Sequence, residues 1–91
     1  MSVSFQGPKD HGKPFPVTLD LNNALASRLL RSMGCKVGEE TAGAMPIKEA
    51  KKGISEARET LKDVEDLKHL WYLSEMVDDL IQAGEEQLTW F

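Results

Sequence analysis

The side chains that could serve as nucleophile and base in this sequence are few and widely spaced. Cys35 is the only cysteine, and His11 and His69 are the two histidines. Nucleophilic catalysis requires a thiol or hydroxyl beside a base that is itself oriented, and no motif links either histidine to Cys35. Their spacing also lacks the pattern of a zinc site. We therefore expect no catalytic residue and no metal site here, and we expect the thiol of Cys35 to be buried or unreactive.

Carboxylates offer a second kind of chemistry near the C-terminal end. Glu75 and Asp79 lie four residues apart, with Asp78 between them, in a segment of helical periodicity. Together with Glu85 or Glu86 they could ligate a divalent cation, and as a pair they could support a hydrolase. No second carboxylate helix with matching spacing is present, so a solvated helix face is the favoured interpretation. We expect no metal and no cofactor.

The strand-to-helix segment "LDLNNA" is the best candidate for a small-ligand site. Asn22 and Asn23 place amide groups at a helix N-terminus, which presents unpaired N–H groups and the positive end of the helix dipole. Arg28 and Arg31 follow on the same helix. These four residues predict a site for a small anionic ligand. The alternative is that Asn22 caps the helix and Asn23 is solvated, and the sequence leaves both open.

Size and composition predict one small domain, residues 1–91. The chain has 91 residues, of which 41% are hydrophobic, and a formal net charge of −4. A domain this small buries a modest share of its surface, so a homo-oligomer is expected. The negative charge argues against general nucleic-acid binding and against attraction to anionic membranes. Without a spanning apolar run, a signal segment or a cysteine pair, we expect a bacterial or host-cell cytoplasmic protein.

Charge is unevenly distributed along the chain. Residues 69–91 carry acidic side chains at 75, 78, 79, 85 and 86 and no lysine or arginine. Solvated faces explain this pattern most simply. It is also typical of an acidic surface that binds a basic partner, or of head-to-tail charge complementarity between copies.

Two segments with a period of two predict a β-hairpin. Ser2–Gln6 alternates apolar and polar residues, and Phe15–Leu21 does so again. Between them Gly7–Pro14 contains two glycines and two prolines, which is typical of a loop. We therefore expect residues 1–16 to be partly flexible.

A helical period of about 3.6 begins after this hairpin. Asn22 is placed to cap the first helix, and Gly34 to end it. The segment Cys35–Met45 has little periodicity and is predicted to be a loop. Pro46 suits the first turn of a second helix, in which Gly53 is a weak point of about 1 kcal/mol relative to alanine.

The region 47–83 is predicted to be helical, either as one bent helix or as two. A break would fall between Thr60 and Asp66, with Asp63 or Asp66 as the next N-cap. The last helix is clear and ends at Gly84. Its apolar stripe comprises Leu67, Leu70, Trp71, Val77, Leu80 and Ile81, and Leu73 and Met76 widen it.

Such a wide stripe predicts a helix that is central or that shares its second face with another chain. Leu73, Met76 and Tyr72 are therefore the candidate interface residues of this helix. Beyond it, "QLTWF" predicts a returning strand with Leu88 and Trp90 toward the helices. Phe91 would lie outside the core face and is the fourth candidate interface residue.

The resulting order is β-β-α-α-α-β, an α+β domain with helices on one face of a small sheet. The segments "VTLDLNNALASRLLRSMG", "MPIKEAKKGISEA" and "YLSEMVDDLIQAGEEQLTW" resemble a family of small uncharacterised proteins of bacteria and their phages. The similarity covers Val17–Trp90. It implies a helix marked by Asn22 or Asn23, a helix carrying Tyr72 and Leu73, then Gly84 and Trp90. It implies no established activity.

Two functions remain as hypotheses. The first is a non-catalytic, oligomeric interaction protein that binds and modulates a macromolecular partner, such as a phage-encoded inhibitor of a host process. Small size, the absence of a catalytic grouping, the wide apolar helix and the uneven charge favour it. The second is a small-ligand binder that sequesters an anionic nucleotide-type signal at Asn22 and Asn23, with Arg28 and Arg31.

Overall fold

The computed structural model describes residues 2–8, 18–34 and 43–91. Its elements are β1 (Ser2–Gln6), β2 (Thr18–Asn22), α1 (Asn23–Ser32), β3 (Gly43–Pro46), α2 (Ile47–Thr60), α3 (Val64–Gln82) and β4 (Gln87–Trp90). The predicted α+β class and the order β-β-α-α-α-β are confirmed, and β3 is an additional strand before α2. The predictions for residues 9–17 and 35–42, which include His11 and Cys35, lie outside the described residues.

The four strands form one antiparallel sheet in the order β2-β1-β4-β3. β1 pairs with β2 from Ser2 opposite Asn22 to Gln6 opposite Thr18, so the predicted hairpin is confirmed. β4 lies between β1 and β3 and so returns the C-terminal segment to the middle of the sheet. An interior position gives β4 backbone partners on both sides.

One face of the sheet is apolar and packs against the helices. Its buried side chains are Val3, Phe5, Leu21, Met45, Leu88 and Trp90. The rings of Phe5 and Trp90 lie 5.7 Å apart between centroids, at an angle of 42°. The predicted inward direction of Leu88 and Trp90 is thereby confirmed. On the opposite face the Ser4 hydroxyl donates a hydrogen bond to the carboxylate of Asp20.

Both predicted ends of the first helix are confirmed. Asn22 finishes β2 and caps α1, where its Oδ1 accepts a hydrogen bond of 2.8 Å from the backbone N–H of Leu25. Gly34 follows the helix with a φ of 87°, a conformation that favours glycine. The buried face of α1 comprises Leu25, Ala26, Leu29 and Leu30.

The predicted loop Cys35–Met45 is wrong over Gly43–Met45, which with Pro46 form β3. β3 is a strand because it pairs with β4. A strand of four residues is too short for its apolar pattern to be recognised in the sequence. Pro46 lies one residue earlier than predicted, at the N-cap of α2. Its missing N–H is tolerated because β3 is an edge strand.

Gly53 is a packing requirement rather than a weak point of α2. A Cβ at this position would lie 2.5 Å from the backbone oxygen of Met33 and 2.9 Å from its Cβ. Real Cβ atoms essentially never approach other atoms so closely. The absent side chain therefore lets α2 pass directly against the end of α1.

The region 47–83 forms two helices. α2 ends at Thr60, and Asp63 caps α3 by accepting hydrogen bonds from the backbone N–H groups of Glu65 (2.8 Å) and Asp66 (3.3 Å). Of the two predicted caps, Asp63 is correct and Asp66 is not. A connection of this length typically joins antiparallel helices, so the C-terminal half of α3 lies beside the N-terminal half of α2.

Candidate functional site

The helix α3 buries one side and exposes large side chains on the other. Its buried apolar residues are Leu70, Leu73, Met76, Val77 and Leu80. Leu73 and Met76, predicted as interface residues, lie within the core of this same chain. The sequence places Trp71 on the apolar stripe of α3, which it assigned to the core or to an interface, and the structure leaves Trp71 56% exposed. The buried apolar positions set the rotation of α3 and leave Trp71 largely on the surface.

Trp71 and Tyr72 form an aromatic pair on the surface of α3. Their ring centroids are 5.5 Å apart in an edge-to-face arrangement of 64°, and Tyr72 is 40% exposed. On its other side Tyr72 meets the ring of His69 at 6.1 Å and 85°. The Nδ1 atom of His69 lies 2.7 Å from the backbone oxygen of Glu65. Contacts on both sides hold the exposed Tyr72 ring in a defined orientation.

Exposed carboxylates continue this surface toward the C-terminal end of α3. Glu75, Asp78 and Asp79 are all exposed, and the last turn of the helix carries no basic residue. The negative end of the helix dipole lies in the same region, so the fold itself does not compensate these charges. The outer side of α3 is therefore aromatic in its middle and acidic toward its end.

A groove of about 350 Å³ runs between α2 and α3. The α2 wall contributes Lys51 and Arg58, and the α3 wall contributes Trp71, Glu75 and Asp78. In the described part of the chain, Arg28 and Asp66 are the one pair of opposite charges whose N and O atoms lie within 4.0 Å of each other. No ion pair of the described residues therefore crosses this groove. The groove thus has two walls of opposite charge whose described residues form no ion pair with each other.

The four residues predicted to bind a small anion have different environments. Asn22 is engaged as the cap of α1. Asn23 is half-buried, and its Oδ1 has no hydrogen-bond partner among the described residues. Arg28 is turned toward α3, whereas Arg31 is exposed in the last turn of α1. The structure therefore supports the capping interpretation of Asn22.

Arg28 and Asp66 form an ion pair that ties α1 to α3. The Nε and Nη2 atoms of Arg28 donate to the two carboxylate oxygens of Asp66 at 3.1 and 2.9 Å. The Asp66 side chain is 7% exposed, and that of Arg28 is 55% exposed. These hydrogen bonds, with the nearby charges of Asp66 and Asp63, raise the pKa of Arg28 above its ordinary value. Asp66 is thus a structural carboxylate, and sequence periodicity offered no sign of its partner.

No metal site is found among the residues that the structure describes. Within residues 2–8, 18–34 and 43–91, no group of three or more His, Cys, Asp or Glu side chains is arranged to hold a metal ion. The carboxylates of Glu75, Asp78 and Asp79 form a solvated face, as the favoured interpretation of the sequence had it.

A second concavity, of about 790 Å³, lies between the sheet and the segment after α3. Gln6, Thr89 and Phe91 line it together with Glu85 and Glu86. Phe91 is 65% exposed, as predicted, and exchanges backbone hydrogen bonds of 2.7 and 3.0 Å with Ser4. Among the described residues that line this concavity, Phe91 is the one aromatic side chain.

Sequence reasoning missed Lys51 and Arg58, because their role depends on which face of α2 lies beside α3. In the described residues no helix is both long enough and apolar enough to cross a membrane. Comparison with protein-family models, with curated proteins and with solved structures finds no match to this chain. The resemblance over Val17–Trp90 therefore stays a prediction.

Proposed function

We propose that this protein is a non-catalytic interaction protein that binds a macromolecular partner through the exposed side of α3. The observation that carries the proposal is the aromatic pair Trp71 and Tyr72, which the fold leaves on the surface although the core is otherwise well packed. Exposed aromatic residues flanked by charged residues are typical of protein–protein contact surfaces.

The exposed area of Trp71 is large enough to matter for binding. A tryptophan buries at most about 250 Å², so the 56% that is exposed corresponds to about 140 Å². At about 25 cal/mol per Å², covering that area contributes about 3.5 kcal/mol before the losses on association are subtracted. This is the scale of a binding hot spot, which begins at about 2 kcal/mol. In the folded monomer this area of Trp71 stays in water, so the hydrophobic free energy of covering it becomes available only on binding.

Photo-crosslinking from within the surface tests this proposal. A photoreactive phenylalanine analogue placed at position 72 should crosslink the protein to a macromolecule in the cells that encode it. Position 91 is the matched control, since Phe91 is also an exposed aromatic residue but lies on the sheet. We expect products from position 72 that are absent from position 91.

The substitution Trp71→Ala should remove those products without unfolding the protein. Because Trp71 is 56% exposed, its covered 44% corresponds to about 110 Å², so the free energy of unfolding should fall by at most about 3 kcal/mol, and circular dichroism shows whether the variant is folded. Identical products from positions 72 and 91, or products that persist in Trp71→Ala, would contradict the proposal.

A further inference from the structure

From the opposite charges of the α2–α3 groove we infer that its occupant is a second copy of this chain. The two copies would form a symmetric dimer in which α2 of each covers α3 of the other. The inference rests on the proposed function, since it names a partner for the same surface.

The charged residues of the groove are divided by helix. Lys51 and Arg58 lie on the α2 wall, and Glu75 and Asp78 lie on the α3 wall. All four are exposed, so none of the charges is committed to the core. Lys51 and Arg58 therefore face Glu75 and Asp78 across the groove that they line together.

A surface of this kind is complementary to itself. A two-fold axis that runs along the groove places the α2 wall of one copy over the α3 wall of the other and keeps each residue at its own level. The basic side chains of the α2 wall then face the acidic side chains of the α3 wall of the second copy, and the same contact recurs on the other side of the axis. Such isologous contacts close into a dimer and do not extend into a filament.

The same rotation covers the exposed indole of Trp71. Arg58 and Trp71 line opposite walls of the groove, so in the dimer Arg58 of the second copy faces the wall that carries Trp71, where its guanidinium can stack on the ring as a cation–π contact. A partner segment of a single charge fits the groove less well, because a basic segment is repelled by Lys51 and Arg58. An acidic segment is repelled by Glu75 and Asp78 in the same way. A second copy satisfies both walls at once.

Two charge-swapped variants test the inference. The α2-wall variant carries Lys51→Glu and Arg58→Glu, and the α3-wall variant carries Glu75→Lys and Asp78→Lys. In a dimer of either variant, both contacts across the axis join like charges. Each variant alone should therefore raise the dimer Kd by at least about tenfold, measured by light scattering at low ionic strength where charges are least screened.

The mixture of the two variants is the decisive sample. When one copy of each pairs, the glutamates of the first face the lysines of the second, and the unchanged walls face each other as in the wild type. We expect the equimolar mixture to recover a dimer that neither variant forms. Circular dichroism of each variant shows that the substitutions have left the fold intact.

Several results would overturn the inference. They are a wild-type chain that stays monomeric, variants that each dimerise as well as the wild type, or a mixture that does not form a heterodimer. The proposed function is tested separately from the dimer. Crosslinking from position 72 to a different macromolecule would support the proposed function even if the dimer did not form. Absence of both the dimer and the crosslinks would remove both.

Discussion

Replacing Gly53 with alanine puts the close approach of α1 and α2 to a direct test. An alanine in a helix interior is ordinarily more stable than glycine by about 1 kcal/mol. Here the added Cβ would lie 2.5 Å from the Met33 backbone oxygen and 2.9 Å from the Met33 Cβ. Neither atom is the far end of a flexible side chain, so the clash is relieved only if the helices move apart.

The size of the effect follows from these two opposing terms. Overpacking a close-packed core costs about 1–3 kcal/mol, and a clash with backbone lies toward the upper end of that range. Subtracting the gain of about 1 kcal/mol from helix propensity leaves a net loss of about 1–2 kcal/mol. For a domain of this size, this lowers Tm by roughly 5–15 °C.

Urea denaturation followed by tryptophan fluorescence measures this loss. The midpoint should fall while the slope m stays unchanged, because the same surface is exposed on unfolding. Ser55→Ala is the matched control on the same helix, since Ser55 is exposed. It should stabilise the protein by a few tenths of a kcal/mol, about the helix propensity difference.

A Gly53→Ala protein that is folded and at least as stable as the wild type would refute the reasoning. It would mean that α1 and α2 are not held at the distance described. A second substitution sharpens the test, because Met33→Ala leaves the Met33 Cβ and backbone oxygen in place. It should therefore not rescue Gly53→Ala.

Two further predictions concern Arg28 and Asn22, which the sequence predicts as parts of a small-ligand site. Arg28→Ala leaves the carboxylate of Asp66 buried without its partner, so Tm should fall clearly. Arg31→Ala is the control and should leave Tm nearly unchanged. Equal Tm values for the two variants would show that the ion pair does not stabilise the fold. Asn22→Ala removes the acceptor for the Leu25 N–H and should lower the free energy of unfolding by about 1 kcal/mol. Asn22→Asp retains a capping oxygen and should not, and equal losses in both would count against capping.

The sequence by itself determined the elements whose signals are local. Asn22 was predicted as a cap and Asp63 as one of two candidate caps, because their short side chains can accept from backbone N–H groups within the next turn. Gly34 and Gly84 end helices with positive φ, which glycine adopts without strain. The alternation in β4 likewise predicted which of its side chains face the core. Such signals lie within a few residues, so periodicity and residue type are enough to detect them.

Only the tertiary structure decided which surfaces meet. β3 exists because β4 pairs with it, and Gly53 is required because the end of α1 passes beside it. The candidate site followed the same rule. A wide apolar stripe indicated that α3 had a second face, but the packing of the other elements decided that Leu73 is buried and Trp71 is exposed.

The partner of Arg28 and the charged walls of the groove could not be predicted for the same physical reason. Asp66 lies 38 residues from Arg28, and Lys51 lines one groove with Asp78 only because α2 and α3 pack side by side. Contacts between residues so distant in sequence depend on the relative rotation and position of whole helices. Core packing sets both, and no local pattern of the chain records them.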